Sequence, residues 1–179
     1  MSELSGSQWC ARFPGSRSVN DLAVPFRNSV VAFLNALHKA DPPATVVINA
    51  TLRPPERAYL MHYAWLIAHG QIQPPAVPNM NGVDIIWDHP DAVSAAQQMV
   101  HTYRMAFVAA LESDHTRGVA IDMDITWSGT LHIKEADGAT RTISTGPRDN
   151  NNPELQAVGR SYGVLKLISD PPHWSVDGH

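Results

Sequence analysis

Apolar residues at Leu22, Phe26, Val30, Phe33, Leu34 and Leu37 recur at helical spacing, as they do on one face of a helix. With Asp21 as N-cap and Asp41-Pro42-Pro43 as a stop, the pattern predicts a helix over 21–40. The periodicity then changes. Residues 45–52, Thr-Val-Val-Ile-Asn-Ala-Thr-Leu, are rich in β-branched side chains and read as a buried strand. Pro54-Pro55 suits the first turn of a helix, so 54–69 is expected to be helical and closed by Gly70. Residues 71–83 are proline-rich and read as irregular, and a third helix is expected over 90–112 with Val93, Val100, Phe107 and Val108 turned inward.

Beyond that point the pattern is one of strands. Residues 119–126, 130–134 and 141–145 are expected to extend, joined by the turn signals Trp127-Ser128-Gly129 and Asp137-Gly138. A short helix over 153–162 precedes a last strand over 164–169. Helices first and strands afterwards imply an α+β fold, a small antiparallel sheet packed with helices. One domain over 1–179 is the simplest organisation, with 1–44 as an N-terminal helical part and 71–112 as an insertion or lid with a helix.

Composition narrows the function. At 179 residues and 44% hydrophobic content the chain can build a core without disulfides. A net charge of -4 and the absence of any Lys/Arg run argue against nucleic acid as a partner. No window is apolar enough to span a membrane. The single Cys10 excludes an internal disulfide and a cysteine zinc site, and is read as a packed side chain. The first fifteen residues have no basic start followed by an apolar stretch, so synthesis in the cytoplasm without a signal peptide is expected.

Nine histidines are present. His38, His62, His69, His101 and His132 have no partner at ligand-like spacing and are read as surface or boundary residues; His89 and His179 are left open. The segment Ser113-Asp114-His115-Thr116-Arg117-Gly118-Val119-Ala120-Ile121-Asp122 differs. It sets an imidazole in a polar loop and a carboxylate on the strand that follows, a usual pairing for zinc, and Gly118 permits a close backbone approach between them. Asp124, on the same strand face, is read as an outer or surface carboxylate and Asp114 as solvated. In Ser169-Asp170-Pro171-Pro172-His173-Trp174-Ser175 the prolines favour an extended, polyproline-like path, which would project Asp170 and His173 from one side. His115, Asp122 and His173 then supply the three protein ligands of a catalytic zinc site, and Asp170 the general base.

Ser-x-His-x-x-Gly-x-Ala-x-Asp followed by acid-x-x-His-Trp resembles the signature of the zinc D-Ala-D-Ala carboxypeptidase and L-Ala-D-Glu endopeptidase family, which has the hedgehog/DD-peptidase fold. Ser113, His115, Gly118, Ala120 and Asp122 match the first motif, and Asp170, His173 and Trp174 the second. The family's arginine before a helix is matched by position at Arg53. The resemblance runs from about residue 45 to the end. The chain departs from it in three places: Glu56-Arg57-Ala58 stands where many members carry Gln, Asp170 where several have Glu, and 71–112 matches no family pattern.

The resemblance implies a zinc-dependent peptidase acting on the peptidoglycan stem peptide, next to a D- or L-Ala, as an endolysin-like endopeptidase. His115, Asp122 and His173 are the implied ligands, Asp170 the base, Arg53 an oxyanion or carboxylate holder, and Ser113 and Trp174 neighbours of the site. The alternatives are a D,D-carboxypeptidase or dipeptidase, and a zinc-stabilised binding domain without turnover. A monomer lacking a C-terminal wall-binding domain is expected, reaching the wall through a holin pore or as an injected effector.

Overall fold

The computed structural model describes residues 2–179. In chain order the elements are β1 (Glu3–Leu4), α1 (Phe26–His38), β2 (Thr45–Ala50), α2 (Pro55–Ala68), β3 (Ile85–Ile86), α3 (Ala92–Thr102), α4 (Asp114–Arg117), β4 (Ala120–Thr126), β5 (Leu131–Lys134), β6 (Thr140–Ile143), α5 (Pro153–Ser161), β7 (Leu165–Lys166) and β8 (His173–Ser175). This mixture of helices and small sheets agrees with the α+β expectation. The chain forms two compact units, one from the described residues up to Gly15 together with Arg53–Thr116, the other from Ser16–Leu52 together with Arg117–His179. No helix among the described residues is long and apolar enough to cross a membrane.

In the first unit, α2 and α3 bury Tyr59, Leu60, Ala64, Ile67, Ala96 and Met99 around Trp9 and Cys10. Prolines at the start of α2 and Gly70 (φ +65°) after its end bound the helix as expected. The stretch that follows is tied down at one point by Tyr59, whose hydroxyl donates to the Pro78 carbonyl (2.9 Å) and accepts from Trp87 Nε1 (3.2 Å). The third helix is shorter than expected. It ends at Thr102, and its buried face is Ala92, Ala95, Ala96 and Met99 at i, i+3, i+4 and i+7. Val93 and Val108 are exposed, and Phe107 is 83% exposed. The chain leaves the helix through Arg104 at φ +54°, where the Met105 N–H returns to the Val100 carbonyl (3.1 Å). The small alanines carry the packing that the larger residues were expected to provide. Cys10 is buried, which pushes its thiol pKa up against the opposing pull of Tyr103 and Arg57.

In the second unit, the strands run in the order β2-β4-β8-β7, antiparallel throughout. Phe26, Val30, Phe33 and Leu37 of α1 share one core with Ile121, Met123, Ile125, Leu155, Val158 and Trp174. The β5–β6 ribbon adds Leu131, Ile133 and Ile143. The helix expected from Asp21 begins only at Phe26. Asp21 lies instead in a short 3-10 turn, Val19–Asp21, capped by Ser18, and Pro25 disfavours helix at Val24. The strand β2, expected to be buried, lies at the sheet edge with alternating exposed and half-buried residues, and Val47 is 53% exposed. One neighbour rather than two leaves its outer side to solvent. After β8 ends, the buried Asn150 continues the ladder along β4, accepting from Ile125 N–H (3.0 Å) and donating to the Met123 carbonyl (2.9 Å).

Close packing of α5 on β8 depends on Gly159. A Cβ there would lie 2.7 Å from the Trp174 ring and 2.9 Å from the Val164 carbonyl oxygen. Trp174 is fully buried, with Phe33 tilted against it at 5.6 Å between centroids. Gly159→Ala is expected to destabilise the fold by about 1–3 kcal/mol through overpacking. The urea midpoint measures this, and an unchanged midpoint contradicts the packing argument.

Candidate metal centre

Sheet register brings the first two functional side chains together. Asp122 on β4 and His173 on β8 are directly opposed residues of an antiparallel pair, the positions whose side chains meet. His173 Nδ1 lies 3.0 Å from Asp122 Oδ1, and Nε2 lies 2.9 Å from the His179 carbonyl oxygen. Both partner atoms are acceptors, so the contacts suit a ring that donates from both nitrogens. Burial alone would lower the His173 pKa, but the Asp122 carboxylate, together with the His179 carbonyl and the Asp170 charge, holds the group above the usual histidine value. Asp124 is exposed and accepts from Asn49 Nδ2 (2.8 Å).

His115 is set by the turn that leads into β4. Ser113 and Thr116 cap α4 reciprocally: Ser113 Oγ accepts the Thr116 N–H (3.3 Å), and Thr116 Oγ1 accepts the Ser113 N–H (2.8 Å). Ser113 thus orients the turn that carries His115. The Arg53 N–H donates to the His115 carbonyl (3.0 Å), which ties the two residues through their backbones. Gly118 takes φ +70°, and a Cβ there would press to 3.2 Å on the Ala23 nitrogen, so the close approach is to the backbone at Ala23 and not between His115 and Asp122. Asp114, expected in solvent, is 7% exposed. It opens the one-turn helix α4, whose side chains at 114 and 115 are both buried.

One ligand atom each from His115, Asp122 and His173 lies within 4.8 Å of the others. Tetrahedral ligation at about 2.0–2.2 Å places donors roughly 3.3–3.5 Å apart, so a modest contraction would close the set on an ion. Two imidazoles and a carboxylate, largely buried, match the donor chemistry of catalytic zinc sites. The group can hold a metal ion.

The approach to His173 differs from the extended path expected. Residues 170–173 form a turn, in which the His173 N–H donates to the Asp170 carbonyl (3.0 Å). Lys166 holds that turn from inside. Its Nζ donates to the backbone carbonyls of Leu167, Asp170 and His173, the last at 3.1 Å, and lies 5.8 Å over the Trp174 ring. Three carbonyls facing a buried cation favour a closed turn over an extended chain. Burial lowers the Lys166 pKa, and Asp170 and Asp122 oppose that shift. Asp170 is exposed and lies outside the three-residue cluster. Trp174 alternates away from His173 along β8 and fills the core. Lys166 was missed in the sequence, where a lone lysine after an apolar stretch carries no sign of burial.

The other histidines have ordinary surroundings. His62 Nδ1 meets the Ala109 carbonyl (2.8 Å), His69 stacks on Trp65, His89 pairs with Ser5 Oγ (2.8 Å), and His132 is exposed beside Thr142. In comparison with known proteins, the chain matches no family model and no curated protein.

Proposed function

We propose that the chain is a zinc-dependent peptidase of the cell-wall stem peptide, related in fold and mechanism to the D-Ala-D-Ala carboxypeptidase and L-Ala-D-Glu endopeptidase family. The observation that carries this reading is the convergence of His115, Asp122 and His173 within 4.8 Å, in the order and spacing of that family's two motifs. A zinc ion held there supplies Lewis acidity towards a carbonyl and a lowered pKa for water. Asp170, on the turn that leads into His173, takes the proton of the attacking water and returns it to the leaving amine, a general acid–base role. Arg53, tied by its backbone to His115, offers a planar donor fork to the developing oxyanion or to a substrate carboxylate. The place of action is the cell wall, and the substrate a peptide bond beside a D- or L-Ala.

Mass spectrometry of a peptidoglycan digest, run with and without a chelator, tests the reading. New amino termini on muropeptides indicate an endopeptidase, and free D-Ala a carboxypeptidase; in either case the products disappear with chelator. A purified protein that holds zinc and releases nothing from any muropeptide would establish a zinc-stabilised binding domain instead.

A further inference from the structure

The chain after His173 turns back onto the ring of His173. β8 places His173 and Ser175 on one face by strand alternation, and Ser175 is fully buried. Ser175 Oγ accepts the N–H groups of Gly178 (2.8 Å) and His179 (3.1 Å) and donates to Asp177 Oδ1 (3.2 Å). Asp177 Oδ1 also accepts the His179 N–H (3.1 Å). Gly178 at φ +82° makes the reversal possible, since side chains are strained in that region. The Val176 N–H donates to the Val119 carbonyl (3.1 Å), anchoring the turn beside the start of β4. All of these bonds hold the His179 carbonyl oxygen at 2.9 Å from His173 Nε2.

We propose that the Ser175–His179 turn is a positioning device for His173: the His179 main-chain oxygen accepts a hydrogen bond from Nε2–H, locks the ring, and leaves Nδ1, the nitrogen facing Asp122, for the ion. The proposal rests on the metal reading above. Metal-bound histidines generally donate their second N–H to an oxygen acceptor, and loss of that acceptor typically weakens metal binding about 10–100-fold. Here the acceptor is a main-chain carbonyl, so side-chain substitution at His179 does not remove it. Its position depends instead on a buried hydroxyl and a left-handed glycine. Ser175 and Gly178 are therefore positioning residues for a ligand that neither of them touches at its metal-facing nitrogen.

Zinc affinity, measured by competition with a chromophoric chelator, tests this in Ser175→Ala and Gly178→Val, with circular dichroism and urea unfolding of the metal-free proteins as the check on folding. The expected result is a roughly 10–100-fold loss of affinity with unchanged unfolding. Wild-type affinity in a folded Gly178→Val variant overturns the proposal. In the zinc-loaded wild type, long-range proton–nitrogen correlation should find the His173 proton on Nε2. A proton on Nδ1 overturns the proposal even if both variants fail to fold. A wild-type protein that binds no zinc overturns the metal reading itself, whereas intact binding with insensitive variants removes only the role of the turn.

Discussion

His173→Ala is expected to abolish metal binding and hydrolysis together, while His132→Ala leaves both intact. In the proposed site His173 would supply one of three donors, and it is the partner of a second through the 3.0 Å contact to Asp122. Its replacement removes a ligand and leaves Asp122 beside an empty space. The strand should survive, because the backbone pairing of β8 does not involve the imidazole and Trp174 fills the core from the opposite face. The exposed His132 belongs to the β5–β6 ribbon and lies outside the cluster. Losing Lewis-acid stabilisation of several kcal/mol corresponds to a rate loss of roughly a thousandfold or more. Metal content after dialysis and the muropeptide digest measure the two effects. Stoichiometric zinc in a folded His173→Ala protein would refute the ligand set.

Asp170→Ala is expected to separate the two properties that His173→Ala removes together. Zinc should remain bound, while hydrolysis falls by about 10²–10⁴, the usual contribution of a positioned general base. The structure makes this a clean substitution. The turn uses the backbone carbonyl of Asp170, which accepts from Lys166 and from the His173 N–H, and alanine keeps that carbonyl. The side chain itself is exposed, so its loss opens no cavity in the core. A variant with full activity removes Asp170 from the mechanism, and one that has lost its zinc shows that the carboxylate supports the site rather than the reaction.

The helices and strands were legible where periodicity and punctuation agreed. α2 lies between Pro54-Pro55 and Gly70, and α5 begins at Pro153 with Asn152 as its cap. Agreement failed where packing overrode pattern. The expected inward residues Val93, Phe107 and Val108 lost to a face of alanines and Met99, because a close helix contact can be built from small side chains. The β-branched run at 45–50 reads as an interior strand, yet it is an edge, since composition does not specify how many neighbours a strand has. The extended path expected of Pro171-Pro172 gave way to a turn held by Lys166, a contact made by a side chain several residues earlier.

For the candidate site, the two motifs and their family resemblance singled out His115, Asp122 and His173 as a set, because a ligand must be a particular chemical group whatever the surrounding fold. Geometry was a different matter. The opposition of Asp122 and His173 comes from the register of β4 against β8, the seating of the Asp170 turn from a buried ammonium, and the hold on His173 Nε2 from a reversal closed by Ser175. Each is a contact between parts of the chain whose encounter depends on the whole core condensing around Trp174 and Phe33, and only the folded structure decides such encounters.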